Sequence, residues 1–371
     1  MKLIAQVKLA PNPEQHDALL DTLETVNDAA NYISERAWET KTFRQYDLHH
    51  LLYYDLRSRF NLTAQIVVRV LAKVADAYKA GRDTRRTFYQ RGSIAYDKRI
   101  LSWKIAASTV SIWTTGGRLT IPFAAGARQA ELLQHLFGEA DLVYCDGVFY
   151  LFQTCEVEVP PPGNPAEFLG IDLGIVNIAA DSDGAVYSGA QVNGLRKRHT
   201  RLRGKLQAKG TKAAKRLLVK RSHKERRFAT HVNHCISKSV VAKAKDTGRG
   251  IALEELTGIR DRVTVRRGQR RQHHSWAFNQ LRQFIEYKAK LVGVLVALID
   301  PRYTSQTCPR CGLISPSNRP SQSLFSCVSC GFSAPADTVA ASIIAGRAAV
   351  NRPDFSLAPS GVGQGKAVCF S

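Results

Sequence analysis

No apolar run in this sequence is long enough to cross a membrane. The longest lies within Leu291–Ile299, far short of the ~20 residues that a membrane span needs. The first residues lack the apolar core of a secretory signal peptide. Apolar residues still make up 44% of the 371 residues, which is ordinary for a chain that folds around a core. We therefore expect a soluble, unsecreted protein of about two or three domains.

Acidic residues are scarce relative to basic ones. The 31 Asp and Glu stand against 53 Lys and Arg, which gives a formal net charge of +22. An excess of this size repels itself unless a polyanion neutralises it. Nucleic acid is the partner that fits, because basic side chains on phosphates release condensed counterions. A basic surface that serves only solubility is the plainer alternative. The metabolism of small molecules is disfavoured as the main role.

Cysteines are few, and half of them follow no pattern. Four of the eight are scattered along the chain, at Cys145, Cys155, Cys235 and Cys369. A disulfide framework is not expected without a secretory signal. The other four form two Cys-x-x-Cys pairs, a spacing typical of a structural zinc site with four thiolate ligands. Each pair is followed by a glycine that allows the backbone to turn, and the ligands are Cys308, Cys311, Cys327 and Cys330.

The N-terminal part of the chain has the pattern of one strand followed by helices. Residues 2–10 alternate between apolar and polar side chains, as a half-buried strand does. Asn12 can then cap a helix whose first turn contains Pro13. Apolar residues recur at a spacing of three or four from there, which predicts a helical block over about 13–90.

The period changes to that of short strands over about 99–158. The strands are separated by turns with Gly or Asp, and a helix is predicted at Ala127–Phe137. A stretch rich in proline, Pro160–Pro165, is the clearest linker in the chain, and we place the main domain boundary there.

After the linker the pattern alternates between strands and helices. Strands are predicted near Asp172 and over Gly250–Leu256. Residues 196–227 contain 15 Lys or Arg and a single acid, which indicates a basic helical hairpin broken near Gly210. Further on we predict a basic mobile loop, a long helix, a strand and a last helix, at Arg260–Arg271, Trp276–Leu298, Ile299–Thr304 and Asp337–Ala349.

Three acids lie where a carboxylate is costly. Asp172 and Glu254 are in apolar strands, and Asp337 opens a helix rich in alanine. A carboxylate in apolar surroundings needs a partner or a metal. Three of them together would repel one another, and divalent cations remove that repulsion. Two Mg²⁺ ions held in this way support the hydrolysis of a phosphodiester. Taken singly, Asp172 could be a turn or ion-pair residue, and Asp337 could be a helix cap.

A different class of protein shares one of these motifs. The segment Gly170–Gly174 resembles the first phosphate loop of actin-like ATPases and sugar kinases. That loop usually continues with Thr or Ser, whereas Ile175 follows here. The sequence contains no further glycine-rich phosphate loop, and an ATPase would not explain the charge or the four cysteines.

The order of these motifs resembles the transposon-encoded TnpB (OrfB) family, which is related to the type V CRISPR effectors. The acid-bearing strand, the basic helices, Leu253–Gly258, the four cysteines and Asp337–Ala341 all occur in the family's order. The front half is also similar, at Leu9–Gln15 and Tyr96–Arg99. The resemblance extends over about residues 1–349.

The resemblance implies a fold class and a division into domains. The expected fold is an RNase H-like (RuvC) nuclease domain of α/β type with an inserted zinc ribbon. A β-barrel-like wedge domain with an inserted helical recognition lobe precedes it. The expected ranges are 1–10 and 95–163 for the wedge, 11–94 for the lobe, 164–349 for the nuclease, 302–335 for the ribbon and 350–371 for a disordered tail.

The resemblance also implies an activity and its site. The expected function is RNA-guided, metal-dependent cleavage of double-stranded DNA beside a short motif, with a guide RNA from the transposon end. Asp172, Glu254 and Asp337 are the expected catalytic ligands of two Mg²⁺ ions, which Mn²⁺ could replace, and the four cysteines hold one zinc ion. No obligate protein partner or membrane is expected, and the location is the prokaryotic cytoplasm, at the nucleoid when DNA is bound. The expected nucleic-acid contacts are Lys197, Arg201, Lys205, Lys212, Arg216, Arg266 and Arg267.

The chain departs from the family pattern after the third acid. The family often has Asn two and six residues further on, where this chain has Val339 and Ile343. An Asn beside a ligand could tune metal binding. Two other functions stay open: an RNA-guided repressor without nuclease activity, and a transposase or resolvase with an RNase H-like core. The presence of all three acids argues against the repressor.

Overall fold

The computed structural model describes residues 1–256 and 278–350. The chain divides into two compact units, Met1–Glu158 and Val159–Ser371. The predicted basic loop with Arg266 and Arg267, the start of the predicted helix at Trp276 and the tail from residue 351 lie outside the described residues.

The first unit contains a seven-stranded antiparallel sheet with the order β2-β6-β7-β1-β5-β4-β3. Its strands are β1 (Lys2–Leu9), β2 (Ile94–Tyr96), β3 (Leu101–Lys104), β4 (Thr109–Thr114), β5 (Gly117–Ala124), β6 (Leu136–Cys145) and β7 (Val148–Glu156). A short helix, α4 (Ala127–Leu132), joins β5 to β6. The predicted helix to Phe137 therefore ends early, because the chain turns into β6 at Leu136.

The seven-stranded sheet curls until strands from its two ends meet. The Tyr96 hydroxyl of β2 donates to the Trp113 carbonyl of β4 at 3.0 Å. The Trp103 indole N–H of β3 donates to Gln153 Oε1 of β7 at 2.8 Å. Because these strands are far apart in the order of the sheet, the two hydrogen bonds require a nearly closed barrel.

Three helices lie beside this sheet: α1 (Pro13–Thr40), α2 (Gln45–Phe60) and α3 (Ala64–Lys79). α1 and α3 contact its strands, and α2 packs on these two helices. The predicted start of α1 is confirmed, since Asn12 and Gln15 form a reciprocal capping box. The helical block ends at Lys79, not near residue 90. The chain that follows is held by side chains of α1, because Asn27 and Asn31 bond to the backbone of Gly92 and Phe88. Helices and sheet share one cluster of buried side chains.

The second unit is built on a five-stranded mixed sheet with the order β10-β9-β8-β11-β12. Its strands are β8 (Phe168–Asp172), β9 (Asn177–Asp181), β10 (Val186–Ser188), β11 (Gly250–Glu254) and β12 (Val296–Ile299). β8, β9 and β10 form an antiparallel meander, whereas β8, β11 and β12 run parallel. Two strands of the four-cysteine segment, β13 (Leu324–Ser326) and β14 (Ser333–Pro335), form a separate hairpin.

Helices cover both faces of the five-stranded sheet. Ile171 and Leu253 share a buried cluster with side chains of α6 (Lys212–Asp246) and α7 (Phe278–Leu291). On the other face, α8 (Ala336–Val350) packs directly on β8. A Cβ at Gly170 would lie 1.9 Å from the Ala341 carbonyl oxygen, so this close approach requires glycine. The basic hairpin is confirmed as α5 (Ala190–Lys209) and α6, with Gly210 between them at φ 63°.

The segment between α7 and the cysteines differs from its prediction. The helix expected to reach Leu298 ends at Leu291, and Gly293 follows at φ 72°. Val296–Ile299 is instead a parallel strand beside β11. A parallel strand buried on both faces has a continuous apolar run, and periodicity cannot distinguish it from a buried helix. The strand expected over Ile299–Thr304 is therefore wrong beyond Ile299.

Among the helices of residues 1–256 and 278–350, none is both long and apolar enough to span a membrane.

Candidate active site and four-cysteine cluster

The sheet brings the first two predicted acids to one edge. β8 and β11 are parallel neighbours, and Ile171 is in register with Leu253. Asp172 follows Ile171 as the last residue of β8, and Glu254 follows Leu253 as the last residue of β11. The carboxyl ends of parallel strands meet at one edge of a sheet, so these two side chains leave the sheet side by side. Residues 82 apart in the sequence thus form one acidic edge.

The third acid reaches the same place from α8. Asp337 is in the first turn of that helix, which packs on β8. Burial, and then the negative charges of Glu254 and Asp337, raise the pKa of Asp172 to about 7. Burial also raises the pKa of Glu254. The three carboxylates therefore interact, and two of them are costly to ionise in the absence of a cation.

Two neutral side chains and one cation contact these acids. The Thr304 hydroxyl donates to Glu254 Oε1 at 2.5 Å, and Asn177 Nδ2 donates to Asp337 Oδ2 at 2.8 Å. The Arg319 guanidinium lies 3.7 Å from Asp337 Oδ1. Sequence reasoning missed all three. Thr304 and Arg319 belong to the segment that carries the cysteines. Their closeness in sequence to the Cys-x-x-Cys pairs was the one sequence signal that could have marked them as site residues.

Glu255 has a different environment from Glu254. Its Oε1 accepts a hydrogen bond from Arg282 Nη1 at 2.6 Å, and Arg282 also pairs with Glu286 of α7. β11 ends at Glu254, so Glu255 already belongs to the loop. Glu254 is thus the member of this pair that lies at the acidic edge.

The four predicted zinc ligands come together. Their sulfur atoms all lie within 4.8 Å of one another. Cys308 and Cys330 are 3.6 Å apart, and Cys311 and Cys327 are 3.5 Å apart, measured between Sγ atoms. Four thiols at this spacing suit one tetrahedral zinc ion. Across residues 1–256 and 278–350 no set of three carboxylates is as tight, so the three acids are spread more widely.

The two cysteine pairs have the same backbone geometry. The N–H of Gly312 donates to the Cys308 carbonyl at 3.0 Å, and that of Gly331 donates to the Cys327 carbonyl at 3.1 Å. Both glycines have φ near the left-handed region, at 76° and 70°. The expectation that these glycines close the turns is confirmed. Backbone N–H groups of the second turn, that of Cys330 first, lower the pKa of Cys327 to about 6, which favours the thiolate that binds metal.

The cysteine segment is packed against the helix that carries Asp337. Cys308, Cys327 and Phe325 share a buried cluster with Ala336 and Val339 of α8. β14 ends one residue before that helix begins. The cysteine segment therefore packs against, and supports, the first turn of α8.

The basic residues predicted on the hairpin are solvent exposed. They are Lys197, Arg201 and Lys205 on α5, and Lys212 and Arg216 on α6. Glu225 is the single acid of residues 196–227, and it contacts His199 and Arg203 at 3.2 and 3.5 Å. The hairpin thus presents a strongly cationic surface. Arg266 and Arg267 lie outside the described residues.

Two family models match the second half of the chain. The model described as "Probable transposase" matches residues 152–257, which include Asp172 and Glu254. The model described as "Cas12f1-like, TNB domain" matches residues 278–344, which include the four cysteines and Asp337.

Similar proteins show the family. The TnpB-like protein MJ0751 of Methanocaldococcus jannaschii is 32% identical over 196 residues, which are 49% of this chain and 69% of that protein. The chain belongs to this TnpB-like family, and the resemblance inferred from the motifs is confirmed. The CRISPR-associated endodeoxyribonuclease Cas12f1 of Sulfoacidibacillus thermotolerans is 42% identical over 119 residues. That match spans 32% of this chain and only 27% of that protein.

A solved structure shares the fold. The cryo-EM structure of a Cas12f1–sgRNA–target DNA complex matches with a TM-score of 0.59 and 14% identity, over 88% of this chain and 82% of that chain. The likeness extends through both units and shows a common mixed α/β architecture.

Proposed function

We propose that this protein is an RNA-guided, divalent-metal-dependent DNA endonuclease. The observation that carries the proposal is the meeting of Asp172, Glu254 and Asp337 at one edge of the sheet, in a chain of the TnpB-like family. The names of similar proteins support it. One relative is an endodeoxyribonuclease, and the chain that shares the fold is in complex with sgRNA and target DNA.

The strand order supports an RNase H-like (RuvC) assignment for the second unit. Three antiparallel strands are followed by two strands parallel to the first, and the first strand lies in the middle of the sheet. We assign residues 164–349 to this nuclease domain and 302–335 to a zinc ribbon inserted in it. The curled sheet of the first unit is the proposed wedge domain, and residues 11–94 are the proposed recognition lobe.

The acidic edge fits a pair of divalent cations. Burial and, after it, the charges of Glu254 and Asp337 raise the pKa of Asp172, so a cation at this edge would offset the cost of ionising these carboxylates. Oxygen ligands of this kind suit Mg²⁺ or Mn²⁺. Bound there, such a pair would activate a water on one side of a phosphodiester and stabilise the leaving oxygen on the other. Asp172, Glu254 and Asp337 would hold it, while Arg319 would present a guanidinium to the phosphate.

The four cysteines fit one structural zinc ion. All four protein ligands are present, so the site is closed and leaves no position for a substrate. Because Cys308 and Cys327 pack against α8, this zinc would stabilise the helix that carries Asp337. Its role in cleavage is therefore indirect.

The cationic hairpin supports an RNA partner. The exposed Lys and Arg side chains of α5 and α6 are spaced by four residues on one helical face, at Lys197, Arg201 and Lys205. Contacts of this type read the phosphate backbone, whereas base pairing reads the sequence. We propose that the partner is a guide RNA from the transposon end and that the target is a DNA duplex beside a short motif.

A transposase is the second candidate, since one of the matching family models is described as "Probable transposase". Sequencing the RNA that co-purifies with the full-length protein separates the two. A discrete RNA with a constant part from the transposon end and a variable 3′ part is the result expected of a guided nuclease. Random cellular RNA alone would favour the transposase.

A further inference from the structure

Asn177 contacts Asp337 across the fold of the second unit. Its side-chain N–H donates to Oδ2 of Asp337 at 2.8 Å, although 160 residues separate the two in the sequence. Asn177 is the first residue of β9, and Asp337 is in the first turn of α8. The bond therefore joins the antiparallel part of the sheet to the helix that carries the third acid.

The backbone around Asn177 is firmly anchored. The residues that follow it in β9, Ile178 and Ala179, are 1% and 0% exposed. On its other side Asn177 pairs with Ser188 of β10, at an irregularity in the register of that ladder. A side chain that starts from a fixed strand has few rotamers that reach Asp337, so little entropy is lost when this bond forms.

The two partners of Asp337 differ in charge. Arg319 brings a positive charge to within 3.7 Å of Oδ1, where it competes with a divalent cation for the same oxygen. Asn177 brings a neutral donor to Oδ2 and leaves the negative charge of the carboxylate in place. A neutral donor can hold an acid in position without weakening its attraction for a metal.

Position 339 provides no such contact from within the helix. The side chain two residues after Asp337 is 2% exposed and packs with Cys308 and Phe325. An amide at position 339 would therefore be buried in the apolar cluster of the cysteine segment. Asn177 provides an amide for Asp337 from the opposite side of the helix turn.

We propose that Asn177 is a positioning residue for the metal centre. It fixes Oδ2 of Asp337 and so orients Oδ1, from which a divalent cation would displace the Arg319 guanidinium. This inference rests on the proposed function, because it requires that Asp337 is a metal ligand. Loss of a hydrogen bond to a metal-binding side chain typically weakens metal affinity by roughly 10–100-fold.

The test measures Mn²⁺ binding directly, on full-length, zinc-loaded protein without guide RNA. Free Mn²⁺ is followed by electron paramagnetic resonance as the ion is titrated. Mn²⁺ prefers oxygen ligands, so the four-cysteine site does not interfere. Asn177→Ala and Asn177→Leu both remove the donor, and the leucine keeps the approximate size of the side chain. Both variants should bind Mn²⁺ roughly 10–100-fold more weakly than the unaltered protein.

Asn233→Ala is the matched control. Asn233 is buried, whereas Asn177 is half-buried, and it likewise donates from its side chain, to Gln280 Oε1 at 3.0 Å on the α6–α7 interface. It should leave Mn²⁺ affinity unchanged. In guided cleavage, the Asn177 variants should need more Mg²⁺ for half-maximal rate, while the rate at saturating Mg²⁺ falls less. If Asn177 had only a structural role, its loss would lower the cleavage rate equally at limiting and at saturating Mg²⁺.

Asp337→Ala separates the two ways in which the experiment can fail. If Asp337→Ala weakens Mn²⁺ binding and neither Asn177 variant does, the positioning role is refuted while the metal centre stands. If Asp337→Ala also leaves Mn²⁺ binding unchanged, the metal centre of the proposed function is itself refuted.

Discussion

Glu254 and Glu255 are neighbours in the chain but have different partners. Glu254 accepts a hydrogen bond from Thr304 at 2.5 Å, and Glu255 accepts one from Arg282 at 2.6 Å. Glu254 ends a strand beside Asp172, whereas Glu255 is tied to the long helix α7. Glu254 belongs to the acidic edge that we propose as the metal centre, and Glu255 already has a cation beside it.

This difference predicts that substitution of Glu by Gln abolishes DNA cleavage at position 254 and spares most of it at position 255. Glu254→Gln should reduce Mg²⁺-dependent DNA cleavage to background, because it removes a charged ligand of the metal pair. Glu255→Gln should keep most of the cleavage and lose some stability, since a partly exposed ion pair contributes roughly 0–1 kcal/mol. Cleavage rates at saturating guide RNA, with melting temperatures, provide the comparison. Loss of cleavage in Glu255→Gln alone would place the ligand one residue later.

The cysteine cluster predicts one zinc ion per chain by elemental analysis. Binding at a four-cysteine site can contribute roughly 10–16 kcal/mol to folding, so zinc removal should unfold the segment. Cys327→Ser should impair cleavage through the displaced first turn of α8. Cys235→Ser is the control, because Cys235 is exposed on α6 away from the cluster. A fully active protein without zinc would refute this role.

The cationic hairpin predicts a change in salt dependence. Replacing Lys197, Arg201 and Lys205 with Gln should weaken RNA binding uniformly across sequences. Each phosphate contact that is lost should also flatten the log–log salt slope by roughly 0.7–0.9. Lys79→Gln is a suitable control, because Lys79 is an exposed lysine in the first unit that already pairs with Asp76. An unchanged salt slope in the triple variant would show that these side chains do not contact phosphates and that the hairpin is an ordinary solvated surface.

The raised pKa of Asp172 predicts how stability changes with pH when Mg²⁺ is absent. The pKa of Asp172 is raised to about 7 in the folded protein, first by burial, whereas an Asp in the unfolded chain has its ordinary pKa of 3.8. The folded state therefore binds more protons in this interval, and its stability should fall as the pH rises through it. Asp172→Asn should flatten that dependence and stabilise the Mg²⁺-free protein at about pH 8.

The pKa of Asp183 is shifted in the opposite direction to that of Asp172, so its effect on stability has the opposite sign. Hydrogen bonds from Arg249 and Lys243 lower the pKa of Asp183. Asp183→Asn should therefore reduce stability at neutral pH, where Asp172→Asn increases it. Urea unfolding of both variants across the pH range checks the two directions. Equal effects of the two substitutions would contradict the electrostatic account of the site.

Local patterns were sufficient to predict much of the second unit. The apolar runs that end in Asp172 and Glu254 are buried parallel strands, and the glycines after the two cysteine pairs close their turns. Both features depend on residues close together in the sequence. The same is true of Asn12 and Pro13 at the start of α1.

Tertiary contacts account for what was missed. The apolar run after Leu291 suits a buried helix as well as a strand, and only pairing with β11 decides for the strand. The partners of the acids could not be found from spacing, because Asn177 and Asp337 are joined by the packing of α8 on the sheet. The close approach that requires glycine at position 170 has the same origin.

The central claim is that the protein cuts DNA where a bound RNA directs it. The most direct measurement purifies the protein with its RNA and incubates it, with Mg²⁺, with a plasmid that carries the complementary target beside varied flanking sequence. The account predicts linear product from this plasmid, none from a plasmid with a scrambled target, and none with Asp172→Ala. A protein that binds the matched target yet leaves it intact with both Mg²⁺ and Mn²⁺ would contradict the account and identify a repressor.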